Sequence, residues 1–118
     1  MSFGRKPHWN GKTHNVDLNK CLLPFMMGQP LFLQLENCDD YFLPVFTTPE
    51  NLHDALTKMG YSGYDIKQVT DAEEFLDSLR EGGVRVMLNP QIIDAHHTKW
   101  LEVVKKGEEY LFIDQELN

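Results

Sequence analysis

Apolar positions along this chain recur first at helical spacing, then at strand spacing, and the switch between the two sets out the predicted elements. Leu18, Cys21, Leu22 and Phe25 fall at i, i+3, i+4 and i+7, which predicts a short helix capped by Asn15 or Asp17. Pro24 lacks a backbone donor and clashes one turn back, so that helix is expected to end near Leu23. From Pro30 the period becomes two. Leu31, Leu33 and Leu35 alternate with Gln34 and Glu36, the pattern of a half-buried strand. Asn37 to Asp40 supply turn chemistry before Tyr41–Phe46, a run with no polar face that predicts a second strand covered on both sides and paired with the first as a hairpin. Pro44 within it calls for an edge, a strand end or a bulge.

Thr47 or Thr48 then caps a helix with Pro49 at its first position, a stripe of Leu52, Ala55, Leu56 and Met59, and Gly60 as its stop. Ile66–Val69 reads as a short third strand. Thr70 and Glu73 form a capping box for a helix that buries Ala72, Phe75, Leu76 and Leu79 and stops at Gly82 and Gly83. Val84, Val86 and Leu88 alternate in a fourth strand ending at Pro90. Strands two, three and four, separated by helices, are expected to run parallel. After a polar loop, Thr98–Val104 and Tyr110–Ile113 flank KKGEE as a closing antiparallel hairpin. The predicted fold is α/β of the mixed α+β kind: one mixed sheet, a hairpin-α-β-α-β core, a closing C-terminal hairpin and about three helices. Residues 1–15, broken by Gly4, Pro7 and Gly11, read as an arm, and residues 16–118 as a single domain.

Charge sharpens this division. Residues 1–20 hold Arg5, Lys6, Lys12 and Lys20 against Asp17 alone, whereas residues 21–118 carry seven bases against seventeen acids, within a formal net charge of -7. An acidic body repels a phosphate backbone, so the folded domain is not expected to bind nucleic acid, and a basic partner would be steered toward it. No apolar run approaches the roughly 18 residues of a membrane span, and the N-terminal stretch has no signal-like apolar core. Cys21 and Cys38 fit no disulfide or zinc spacing and read as reduced thiols, which gives an expected cytoplasmic location.

The segments FLPVFTTPENL, DAEEFLDSL and VRVMLNP together resemble the N-terminal domain of the SseB family, bacterial proteins named for an enhanced-serine-sensitivity phenotype. That family pairs a strand ending in a PVF[TS] motif with a helix and ends a later strand in Asn-Pro. Pro44, Val45, Phe46 and Thr47 match the first motif here, Asn89 and Pro90 match the second, and MGQPLFLQL is similar to the first strand. The likeness spans residues 20–93. It implies a small α/β domain in a bacterial or phage setting and brings no agreed enzymatic activity with it.

Candidate chemistry is sparse. Asp94, His96 and His97 follow the Asn89-Pro90 strand end, where ligands collect in open α/β sheets, but a metal would need a third ligand such as His53, His8 or His14, and the spacing fits no standard zinc pattern. Cys21 lies on an apolar stripe, Cys38 sits between an asparagine and an aspartate, and Ser2, Ser62 and Ser78 stand in no nucleophile elbow. No catalytic residue, resident metal or cofactor is therefore assigned. Glu73, Glu74 and Asp77 cluster on one helix, and Tyr61, Tyr64 and Trp100 are large aromatics that periodicity leaves outside the core, so these six are the candidate partner-binding residues. The leading expectation is a non-enzymatic accessory or immunity-like module that binds a basic protein. The alternative is a small-molecule or metal-dependent enzyme working near Asn89, His96 and His97, and a homodimer through a sheet edge of the terminal hairpin is compatible with either.

Overall fold

The computed structural model describes residues 18–35, 38–94, 96–107 and 109–117. The arm of residues 1–15 lies outside the described residues, as do the helix caps Asn15 and Asp17, the ligand candidates His8 and His14, and Glu36 and Asn37 of the first strand and turn. Among these residues eight strands and two α-helices follow in the order β1 (Leu22–Met26), β2 (Gln29–Pro30), β3 (Leu33–Gln34), β4 (Tyr41–Val45), α1 (Pro49–Met59), β5 (Asp65–Gln68), α2 (Ala72–Glu81), β6 (Arg85–Asp94), β7 (His97–Lys106) and β8 (Glu109–Leu117). They build two sheets rather than one. Five strands run in the order β3-β4-β6-β7-β8, and three in the order β2-β1-β5.

The large sheet carries much of the predicted topology. β3 pairs antiparallel with β4 through Leu33 opposite Phe42, and β4 runs parallel to β6 with Leu43 opposite Val86. β6, β7 and β8 are successive antiparallel neighbours. Phe42 through Phe46 are all buried, as a strand without a polar face requires. Phe46 exchanges both backbone hydrogen bonds with Leu22. Pro44 shares the parity of Phe46, so its missing donor faces the gap between two-residue β3 and Leu22, where no ladder bond is needed.

Each face of this sheet is closed by one helix. Leu43, Val45, Val86, Leu88, Val103 and Phe112 pack with Ala72 and Leu76 of α2. On the opposite face Leu33, Phe42, Met87 and Trp100 cluster with Met59 and Tyr61, while Phe46 packs on Leu52, Ala55 and Leu56 of α1. α1 begins with Thr48 accepting from the Asn51 N–H at 3.1 Å and ends at Gly60 in the left-handed region at φ 87°. α2 is capped one residue later than its pattern predicts: Asp71, not Thr70, accepts from the Glu74 N–H at 3.2 Å. A carboxylate there also complements the positive end of the helix dipole.

Three expectations are corrected. The first predicted helix is a single 3-10 turn at Leu18–Lys20 followed by β1, so there are two α-helices among the described residues and not about three. Pro24 is tolerated in that strand because it has the parity of Leu22, whose backbone groups turn toward Phe46 and away from β5. The predicted third strand leaves the main sheet altogether, since β5 pairs antiparallel with β1. Its residues Asp65, Ile66, Lys67 and Gln68 are all exposed, and such a polar run cannot occupy the interior of a sheet covered on both faces. Finally, β6 does not stop at Pro90. Asn89 adopts φ 49°, the register slips between Leu88 and Gln91, and the strand continues through this bulge to Asp94.

Candidate functional site

The predicted acidic face is the outer side of α2, with Glu73, Glu74 and Glu81 exposed and Asp77 half-buried. Strand alternation fixes what lies beneath it. Lys105 shares the face of Val103 on β7, and its Nζ donates to both carboxylate oxygens of Asp77 at 3.2 Å and lies 3.8 Å from Glu73. This hydrogen bond to Asp77 raises the Lys105 pKa above the ordinary lysine value. Arg80 reaches Asp77 at 4.0 Å. Asp77 therefore belongs to an internal ion-pair group and Glu73 is partly neutralised by it, whereas Glu74 and Glu81 have no ion-pair partner among the described residues. Beside this group, a cavity of about 160 Å³ is lined by Asp77, Arg80, Lys105 and Tyr110. The Tyr110 hydroxyl is buried there without a hydrogen-bond partner among the described residues, and burial raises its pKa.

The three aromatic candidates do not join that surface. Trp100 is buried at 8% exposure, with its ring edge-on to Phe42 at a centroid separation of 5.5 Å. It is a core residue because its even position on β7 points to the Phe42–Met87 face, which lies opposite α2. Tyr61 is half-buried against the same cluster. Tyr64 is half-buried with its hydroxyl hydrogen-bonded to His53 Nδ1. Glu73, Glu74 and Asp77 are thus on one side of the sheet, and Tyr61, Tyr64 and Trp100 pack on the other. Among the described residues the large exposed apolar side chains are instead Met27, Phe32, Tyr41, Ile66 and Ile93.

The histidine segment is a tight hairpin between β6 and β7 rather than a polar loop. The His96 N–H donates to Asp94 Oδ1 at 2.8 Å, and His97 Nε2 pairs with the Glu116 carboxylate of β8. Among the described residues no group of three or more His, Cys, Asp or Glu is gathered closely enough to hold a metal ion. β6 passes beyond Asn89, so the strand does not end there. Beyond the reach of α2, however, the bare sheet forms an open groove of about 510 Å³ lined by Asn89, Gln91, Lys99, Asp114 and Glu116 among others. Asn89 turns its amide away from chemistry: its oxygen accepts from the Thr47 N–H at 3.0 Å, and its Nδ2 donates to the Thr47 hydroxyl at 3.0 Å.

Arg85 escaped the sequence reading. It forks onto Glu102, with Nε donating to Oε2 at 2.8 Å and Nη2 to Oε1, while Nη1 reaches Asp40 at 3.1 Å. Its guanidinium carbon lies 4.7 Å from the centroid of the Phe42 ring. The hydrogen bonds to Glu102 hold its pKa well above the ordinary arginine value. A charge flanked on both sides by apolar residues, Arg85 between Val84 and Val86 and Glu102 between Leu101 and Val103, was the available signal, but their pairing needs the β6–β7 register. Among the described residues no helix is long and apolar enough to cross a membrane. Compared with protein-family models, curated proteins and solved structures, the chain has no significant match in any of the three.

Proposed function

We propose that this chain is a non-enzymatic, SseB-like accessory module that binds a basic protein partner through the acidic surface of α2. One observation supports the reading: the cations on and beneath α2, Arg80 and Lys105, are paired with Asp77, while Glu74 and Glu81 of that helix face solvent without an ion-pair partner among the described residues. Lys58, Arg80, Arg85 and Lys105 each pair with a carboxylate of the same chain. Glu50, Glu74, Glu81, Glu109 and Asp114 are exposed and have no ion-pair partner among the described residues. A negative field of this kind steers a positive partner and selects against like-charged ones. The two SseB-like motif segments, Pro44–Thr47 and Asn89–Pro90, meet through the Asn89–Thr47 hydrogen bonds, so their residues serve the scaffold and leave the binding role to the surface.

The test is charge reversal at the two exposed positions, Glu73→Lys with Glu74→Lys. Loss of a captured partner by a variant that unfolds at the wild-type urea midpoint supports the surface, and full retention refutes it. A second reading rests on the groove beside Asn89, whose volume is within the range of small-molecule sites. Calorimetric titration with zinc, nickel and manganese that gives no heat above dilution removes its metal-dependent form.

A further inference from the structure

The return of the chain from α2 into β6 leaves a space between helix and sheet. Gly83 adopts φ 77°, and the Val84 N–H donates back to the Leu79 carbonyl at 2.9 Å, which holds the end of the helix over the start of β6. On the sheet side the lining is the short side chains of Val84, Val86 and Val103, and on the helix side it is Leu76 and, one turn on, Arg80. Small residues on facing elements leave room that a close-packed interior would fill. The result is the cavity of about 160 Å³ beside the Asp77 ion-pair group. A space of about 150 Å³ holds a molecule the size of benzene, well beyond the share of a single water.

One polar group in this lining has no use within the described fold. Tyr110 stands opposite Lys105 in the β7–β8 register, which brings its phenol to the charged end of the cavity. Its hydroxyl is buried and has no hydrogen-bond partner among the described residues. Burying a hydroxyl in that way costs about 1–3 kcal/mol, so a partner from outside the chain is the physical reason to keep it.

Charge selects the sign of that partner. Arg80 and Lys105 stand against Asp77 alone, two cations to one carboxylate, because Arg85 and Glu102, which also line the cavity, neutralise one another through their own fork. Glu73 lies 3.8 Å from Lys105 but is exposed and forms no part of the lining. Lys105 is held by Asp77. Arg80 is not: its contact with Asp77 is 4.0 Å, longer than a hydrogen bond, and its side chain keeps 62% exposure, so the guanidinium can turn toward a bound anion at small cost.

We infer that this cavity is a binding site for a small monocarboxylate with an apolar tail. The carboxylate accepts from the Tyr110 hydroxyl and pairs with Arg80, while the tail lies against Leu76, Val84, Val86 and Val103. Burial keeps the tyrosine protonated at neutral pH, as donation requires. A dianion is the poorer occupant, since the lining offers one net positive charge and Asp77 repels a second negative one. The site is independent of the protein-binding reading, because Glu74 and Glu81 take no part in it.

The experiment titrates the full chain with sodium benzoate and with sodium butyrate, and with benzyl alcohol as the neutral analogue of benzoate, following valine and leucine methyl signals by NMR. Binding is compared in wild type, Tyr110→Phe, Arg80→Ala, Val84→Phe and Glu73→Lys/Glu74→Lys, with a urea midpoint to show that each variant is folded. The expected result is saturable shifts at Val86 and Val103 with a carboxylate, and binding at least about tenfold weaker for benzyl alcohol. Tyr110→Phe and Arg80→Ala should each weaken the carboxylate about tenfold, and Val84→Phe, which fills the space, should abolish binding. The α2 charge reversal should not weaken it. No saturable shift with either carboxylate overturns the site. Benzyl alcohol binding as well as benzoate leaves an apolar pocket and overturns the assignment of an anion. Carboxylate binding unchanged by both Tyr110→Phe and Arg80→Ala places it elsewhere and overturns it too. Arg80→Ala alters an exposed side chain, so it tests the site even if Tyr110→Phe fails to fold, and none of these results bears on partner capture through α2.

Discussion

Asn89, in the left-handed region at φ 49°, holds Thr47 through two 3.0 Å hydrogen bonds, one to its backbone N–H and one from the asparagine amide to its hydroxyl. The residues are 42 apart in sequence. Their contact ties the β6 bulge to the entry of α1, and so couples the parallel strand pair to the helix that closes one face of the sheet. Asparagine suits both tasks, since it tolerates positive φ and carries an acceptor and a donor.

Substitutions at Asn89 should separate these tasks. Asn89→Gly keeps the backbone conformation and loses the hydrogen bonds, for an expected loss of about 1–2 kcal/mol. Asn89→Ala adds the strain of positive φ and should lose about 1 kcal/mol more. Urea unfolding of the two variants checks the order. Equal losses would mean that the bulge relaxes without strain.

The Arg85–Glu102 pair makes a stability prediction of opposite signs. Glu102 is buried at 8% exposure, and Glu102→Ala leaves the Arg85 charge without its bidentate partner, with Asp40 as the remaining carboxylate. The expected loss is about 2–3 kcal/mol, below that of a fully buried pair because the arginine side chain keeps 32% exposure. The double variant Arg85→Met/Glu102→Leu should recover most of that loss, because no charge is then stranded. Chemical denaturation of both proteins decides it.

Alkaline stability should fall on two counts. Lys105 is raised by its hydrogen bond to Asp77 and Tyr110 by burial, so both hold their protons to higher pH folded than unfolded. Their contributions are complete below the unfolded values near pH 10 and diminish as pH rises through the folded ones. Tyr110→Phe removes one titration together with a buried hydroxyl that has no partner among the described residues, so at pH 7 it should be neutral or stabilising by up to about 1 kcal/mol. Thermal melts from pH 7 to 11 should show a shallower alkaline decline in Tyr110→Phe and in Lys105→Met.

Met27 and Gly28 turn the β1–β2 hairpin with φ 54° and 80°, and the methionine side chain is 98% exposed. Two positive φ values in a two-residue turn favour Asn-Gly. Met27→Asn should therefore stabilise the protein by about 0.5–1 kcal/mol, measured as a rise in urea midpoint with unchanged slope.

What the sequence made legible is what local chemistry determines. Thr48, Pro49 and Gly60 bound α1, the apolar stripe of α2 faces the core, and alternation finds the long terminal hairpin. The unread parts depend on tertiary pairing. Leu18, Cys21, Leu22 and Phe25 have helical spacing, yet Leu22 and Leu23 find strand partners in Phe46 and Lys67, and that pairing overrides the period. A short polar run such as Asp65–Gln68 says nothing about which sheet it joins. Pro90 looks like a strand end because the bulge that accommodates it depends on the conformation of Asn89. The candidate site divides the same way: Glu73 and Glu74 are exposed as helix periodicity requires, whereas the burial of Trp100 follows from a face assignment set by the β6–β7 register.

Affinity capture from a lysate of the native organism, at low and moderate salt with bound proteins identified by mass spectrometry, tests the central claim most directly. A basic partner retained stoichiometrically at low salt and weakened at moderate salt is the predicted result, because exposed charges are screened within about 8 Å at physiological ionic strength. A blank at both salts, or a partner indifferent to salt, would contradict an acidic binding surface.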